Sequence, residues 1–191
     1  MIKIRNIFAT MLMASAISFV SVTASAALVD ININGVESWD AFDDVDNTIM
    51  LVDLGMGSPI TIDGIGWDVT ISTEGASWLS EAVITFGSTA DAGLIDVTTG
   101  FGQDFAGSMS FSSGGILSLF DNGLPDMFLA DGILRLQFSE SFDDIDGEVD
   151  AIYEGFVSVS TVDAVVSAPS MLALFTVGLI GVNLVRRSKS V

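Results

Sequence analysis

Apolar residues recur along this chain in short runs with a period of two, and the runs are separated by Gly, Asn, Asp and Ser. Ile60 and Ile62 alternate with Thr61 and Asp63; beyond Gly64, Ile65, Trp67, Val69 and Ile71 alternate with Gly66, Asp68, Thr70 and Ser72. The apolar parity switches from even to odd at Gly64, which is the mark of a β-bulge inserting one extra residue into a strand. Leu134, Leu136 and Phe138 form one face against Ile133, Arg135 and Gln137, and Val157, Val159 and Thr161 oppose Phe156, Ser158 and Ser160. This alternation predicts antiparallel strands buried on one side. Further strands are predicted at 28–33, 48–54, 81–86, 105–111 and 116–120, with turn signals at Asn34-Gly35, Gly114-Gly115 and Asn122-Gly123. Roughly eight short strands and no convincing amphipathic helix predict an all-β fold, an antiparallel β-sandwich with the jelly roll as one form of it. No internal repeat is visible, which weighs against a solenoid or a propeller.

The two ends read differently. Lys3 and Arg5 precede a largely apolar stretch over 7–22, and Ala24-Ser25-Ala26 follow as small residues. This is the pattern of a secretory signal peptide over residues 1–26, cleaved between Ala26 and Ala27. Residues 165–185 make an apolar stretch of 21 residues. As a helix rising about 1.5 Å per residue, such a stretch covers the roughly 30 Å hydrocarbon core of a bilayer. Arg186, Arg187 and Lys189 follow it directly. A basic cluster resists translocation, so these residues are expected to stop transfer and leave the domain ahead of them outside. The expected organisation is a signal peptide at 1–26, an acidic β-sandwich domain at 27–165 and a sorting tail with a transmembrane helix at 166–191.

The order Ser167-Ala168-Pro169-Ser170, apolar segment, basic stop resembles the PEP-CTERM sorting signal. Where that family usually has Pro-Glu-Pro, this chain has Ala168-Pro169-Ser170, so Pro169 alone aligns with a motif proline. Proline fixes φ and keeps its predecessor out of the α region, which leaves an extended peptide just ahead of the membrane segment. The resemblance implies an exosortase-type processing enzyme as partner, acting near 167–170. It also implies a transient inner-membrane anchor followed by delivery to the cell surface or extracellular matrix. It covers the tail alone and leaves the activity of the domain open.

Composition narrows that activity mainly by exclusion. All 25 acidic residues lie within 27–165 together with one basic residue, Arg135, a net charge of 1 − 25 = −24. Such a domain repels nucleic acid and anionic membrane. It has no cysteine for a disulfide, and no histidine or lysine. Ser-His-Asp, Cys-His and Ser-Lys arrangements, Schiff-base lysines, His-ligated zinc and Walker-type phosphate loops therefore all lack a member. Carboxylate chemistry remains, and a pair of acids is easy to find among so many. The expectation is a protein that is not an enzyme.

Hard cations suit these side chains better, since calcium takes six to eight oxygen ligands. Two acidic clusters stand out: Asp40, Asp43, Asp44, Asp46 and Asn47; and Asp143, Asp144, Asp146, Glu148 and Asp150, with Glu154 beyond. The second is the candidate calcium site, although Phe142 and Tyr153 fall where an EF-hand loop needs its first and last ligands. Charge runs are also common as solvated loops. Arg135, on the polar side of its strand, is expected to pair with a cross-strand carboxylate. Trp67 shares the apolar stripe of Ile65 and Val69 and is expected in the core. Trp78 is the candidate exposed platform for a sugar ring, with Leu79 beside it arguing for burial.

The leading expectation is a structural or adhesive β-sandwich of the surface or matrix. A calcium-dependent carbohydrate-binding module, with extracellular polysaccharide as partner, is the alternative, and a carboxylate-based hydrolase the second. An exposed aromatic beside an acidic loop favours the carbohydrate reading; burial of Trp39, Trp67 and Trp78 favours the structural one.

Overall fold

The structure, a computed structural model, describes residues 26–142 and 147–163. The signal peptide up to Ser25, the sorting motif, the apolar tail with its basic stop, and Asp143, Asp144 and Asp146 lie outside the described residues. Among the described residues no helix is long and apolar enough to cross a membrane.

The strands are β1 (Ala26–Asn32), β2 (Val36–Ser38), β3 (Ile49–Asp53), β4 (Ile60–Thr73), β5 (Ala82–Ser88), β6 (Ile95–Val97), β7 (Ser108–Ser112), β8 (Leu117–Ser118), β9 (Met127–Leu129), β10 (Ile133–Glu140) and β11 (Ala151–Asp163). They form two antiparallel sheets, as the alternation predicts. One has the order β3-β10-β5-β6; the other is built on β4 and β11, paired along their whole length. β1 and β2 run one after the other along the free edge of β11, and β7, β8 and β9 do the same along β4. The large sheet therefore has four rows. Numbered along the chain, with consecutive segments merged, the rows lie first-eighth-third-sixth in one sheet and second-seventh-fourth-fifth in the other.

The core lies between the sheets. Ile62, Ile65, Val69 and Ile71 of β4 and Tyr153, Val157 and Val159 of β11 face Ile84 and Phe86 of β5 and Leu134, Leu136 and Phe138 of β10. Tyr153 and Phe138 meet edge to face across the layers, with ring centroids 5.1 Å apart. The parity switch in β4 is a bulge: Ser160 pairs with Gly64 and Thr161 with Ile62, leaving Asp63 as the extra residue.

Three expectations are corrected. Asn34-Gly35 is not a hairpin: Asn32 pairs with Phe156 and Val36 with Tyr153, so the turn is an irregularity within one edge row. Gly114-Gly115 likewise separates β7 from β8 on the same edge of β4. The strand expected at 116–120 shortens to β8, because Phe120–Asn122 turn as a 3₁₀ helix closed by Gly123 at φ +76°.

Candidate functional site

Strand directions divide the sandwich into two ends. Ala26 pairs with Val162 and Asp163 with Ile60, so both described termini of the sandwich lie at one end, here termed proximal. Ser38, Thr73, Ser108 and Ala151 lie at the other. Among the described residues the distal end is therefore built from the loops 39–48, 74–81 and 98–107 and from 141–142 and 147–150.

Hydrogen bonds join these loops to one another. Leu79 N–H donates to Phe105 O (3.1 Å), Ser80 N–H to Gln103 O (3.2 Å), Glu74 N–H to Asp150 O (2.8 Å) and Ser141 N–H to Glu81 O (2.8 Å). Asp150 N–H reaches Ser38 O (2.9 Å) and Glu140 N–H reaches Asp40 O (2.9 Å). Loop 39–48 closes on the buried side chain of Asn47. Its Oδ1 accepts from the amides of Trp39 (3.0 Å) and Asp40 (3.1 Å), and its Nδ2 donates to the carbonyls of Asp40 (3.0 Å) and Ala41 (2.7 Å).

The first acidic cluster is brought together. Carboxylate oxygens of Asp40, Asp44 and Asp46 lie within 4.8 Å of one another, Asp40 buried and the other two exposed. Gly147 N–H donates to Asp40 Oδ1 (3.3 Å) and Asp46 N–H to Asp44 Oδ1 (3.0 Å). At such separations two carboxylates repel by about 1 to 3 kcal/mol with effective dielectric constants of about 80 to 20. Of the second cluster, Glu148 is exposed, whereas Asp150 is buried and accepts from Ser77 Oγ (2.9 Å). Asp150 and the buried Glu140 add their charge to the surroundings of Tyr153, whose phenol pKa is raised first by burial and then by these two carboxylates.

Arg135 answers to loops and not to the neighbouring strands. Its cross-strand partners are Leu51 and Gly87. The guanidinium donates to Gln137 Oε1 (2.5 Å) and pairs with Asp91 (3.4 Å) and Asp43 (4.0 Å). Both aspartates hold left-handed backbone, φ +51° and +68°. The cation thus holds a distal and a proximal loop against the outer face of β10. Sequence alternation placed Arg135 on the correct face but carried no signal for loop partners.

Aromatic side chains complete the distal end. Trp78 is 44% exposed while Leu79 beside it is fully buried, and Trp78 N–H donates to Glu81 Oε2 (2.7 Å). Phe101 is 86% exposed, and Phe42, Phe105 and Phe142 are exposed as well. Trp39 is half-buried. Trp67, expected in the core, is also half-buried and lines a cavity of about 260 Å³ at the seam between the sheets, together with Ile95, Leu117 and Leu124. The sequence singles out Trp78 but not the phenylalanines: Phe42, Phe101 and Phe142 stand in loops without periodicity, and Phe105, expected to open a strand over 105–111, lies ahead of β7, which begins at Ser108.

No family model matches the chain, and no curated protein is similar to it. Among solved structures it is similar to dimeric latent PorU from Porphyromonas gingivalis, at 11% identity and a TM-score of 0.40, over 73% of this chain and 13% of that one. The chain thus spans a small part of that protein, and a likeness of this size says nothing about function.

Proposed function

We propose that this chain is an exported, non-catalytic β-sandwich of the cell surface or extracellular matrix that binds extracellular polysaccharide through its distal loops. The observation that carries the reading is the exposed ring of Trp78 among acidic loops, at the end of the sandwich opposite both described termini. With the tail as anchor or attachment point, that end points away from the membrane. The row order supports a jelly roll as the form of the sandwich. Calcium belongs to the same reading: with backbone carbonyls and waters completing its shell, it would neutralise Asp40, Asp44 and Asp46 and fix loop 39–48. The chemistry of the domain supports a binding role over hydrolysis, because no histidine, cysteine or lysine stands within 27–165.

The test is binding of the full chain to the extracellular polysaccharide of the cell that exports it, with Trp78→Ala alongside. An aromatic at the centre of a binding face contributes enough that its removal is expected to weaken binding about tenfold or more. Equal binding by the variant contradicts the assignment of the site.

A further inference from the structure

The outer face of the large sheet carries a second feature, distinct from the distal loops. Across it, Asp30 of β1, Ser158 of β11 and Gly66 of β4 stand in one line. Ser158 and Gly66 are small, and the flanking same-face positions lie about 7 Å away along each strand. On the distal side these are Phe156 and Asp68, which pair with each other; on the proximal side the trough is bordered by Leu28 and Ile116. The result is a trough of about 370 Å³ running across the strands.

The backbone keeps it in shape. A Cβ on Gly66 would lie 2.7 Å from Gly115 O, so only glycine admits the 113–116 loop that closes one end. Ser113 Oγ pins that loop, accepting from Trp67 N–H (2.9 Å) and donating to Gly115 O (2.7 Å). At the other end Ser158 Oγ donates to Asp30 Oδ1 (2.6 Å), which orients that carboxylate.

Charge selects the occupant. Asp30 and Asp68 are the ionisable groups of the trough, and the cation Arg135 lies on the outer face of the other sheet. Anionic polymers are repelled by these carboxylates and by the domain as a whole. Phe156, 39% exposed, presents a ring beside a carboxylate, a pairing that attracts an ammonium group by both charge and cation–π attraction. Leu28 and Ile116 offer apolar surface for the faces of sugar rings. We infer that the trough binds a glycan chain of amino-bearing hexopyranose units, its ammonium groups on Asp30 and Asp68 and a ring face against Phe156.

The experiment measures binding of a glucosamine oligosaccharide, its fully N-acetylated counterpart and a glucose oligosaccharide of equal length to the full chain. A detergent without a sugar headgroup is used, at about 0.15 M salt, where distant charges are screened. The free-amine oligomer should bind at least roughly tenfold more tightly than the other two, and Asp68→Asn and Phe156→Ala should each remove about tenfold of that affinity. Asp121→Asn with Asp126→Asn, which removes as much negative charge as Asp30→Asn with Asp68→Asn, should leave binding unchanged. Asp68 is exposed and its backbone pairing does not depend on the carboxylate, so Asp68→Asn remains informative if Phe156→Ala fails to fold. Equal loss in the two double variants means non-specific attraction and overturns the inference. Equal binding of the three oligomers, or none by the free amine, overturns it too. Trp78→Ala should leave this binding intact, which separates failure here from failure of the distal site.

Discussion

Tyr153 shows how one side chain links the core to the distal end. Its ring packs on Phe138, while its hydroxyl is buried beside Glu140 and Asp150. Burial, reinforced by these carboxylates, raises its pKa above the ordinary value of 10.0. A raised pKa means the folded state holds the proton after the unfolded state has released it. The stabilising contribution is therefore complete below about pH 10 and declines as pH rises beyond it toward the folded value. Alkaline unfolding should show this decline in the wild type and lose much of it in Tyr153→Phe. Tyr153 is the one tyrosine of the chain, so its phenolate absorbance reports a single site; ionisation near the free value before unfolding would contradict the burial. Asn47 is the corresponding residue for the loop. Asn47→Ala abandons four hydrogen bonds and leaves buried backbone groups unpaired, an expected loss of about 2 to 3 kcal/mol by denaturant unfolding. A loss below about 0.5 kcal/mol, the level of an ordinary surface change, would mean the loop does not depend on that clamp.

Elements with sustained alternation were legible, and those without it were not. Apolar parity locates β4, its bulge beside Gly64, β10 and the second half of β11. β2, β6 and β9 are three residues each, too short for a period to register, and they exist because a long neighbour supplies their hydrogen bonds. The distal site was legible only in parts. Trp78 and both acidic clusters were visible as residues, but Ser77 meets Asp150 across 73 positions, and only the order of the rows brings their loops together. Gly155 offers a test at this scale. It shares the parity of Tyr153 and Val157 in β11, has φ +107°, and a Cβ there would approach Asp68 O to 2.3 Å. Gly155→Ala should cost about 2 kcal/mol or more in denaturant unfolding, from backbone strain together with displacement of β4. A neutral result would mean that β4 and β11 are not paired as closely as described.

For the whole molecule, charge and polarity of ends dominate. A domain of net charge −24 gains stability from any salt through screening, so calcium must be compared with sodium at matched ionic strength. The proposal predicts an additional increase in melting temperature with calcium, removed by Asp44→Asn with Asp46→Asn. At calcium about a hundredfold above its Kd the gain is about 2.7 kcal/mol. At the other end, neutralising Arg186, Arg187 and Lys189 should abolish retention at the inner membrane, read by fractionation; unchanged retention and processing would mean these residues are not the stop.

Hydrogen exchange of the full chain, with and without bound polysaccharide, tests most directly whether the distal loops are the binding face, because amide protection is read segment by segment. The proposed function predicts slowed exchange over 74–81 and 98–107, around Trp78 and Phe101, with the proximal loops 54–59 and 89–94 unchanged. Protection confined to the proximal loops, or a bound polysaccharide that leaves the distal loops as exchangeable as before, would contradict it.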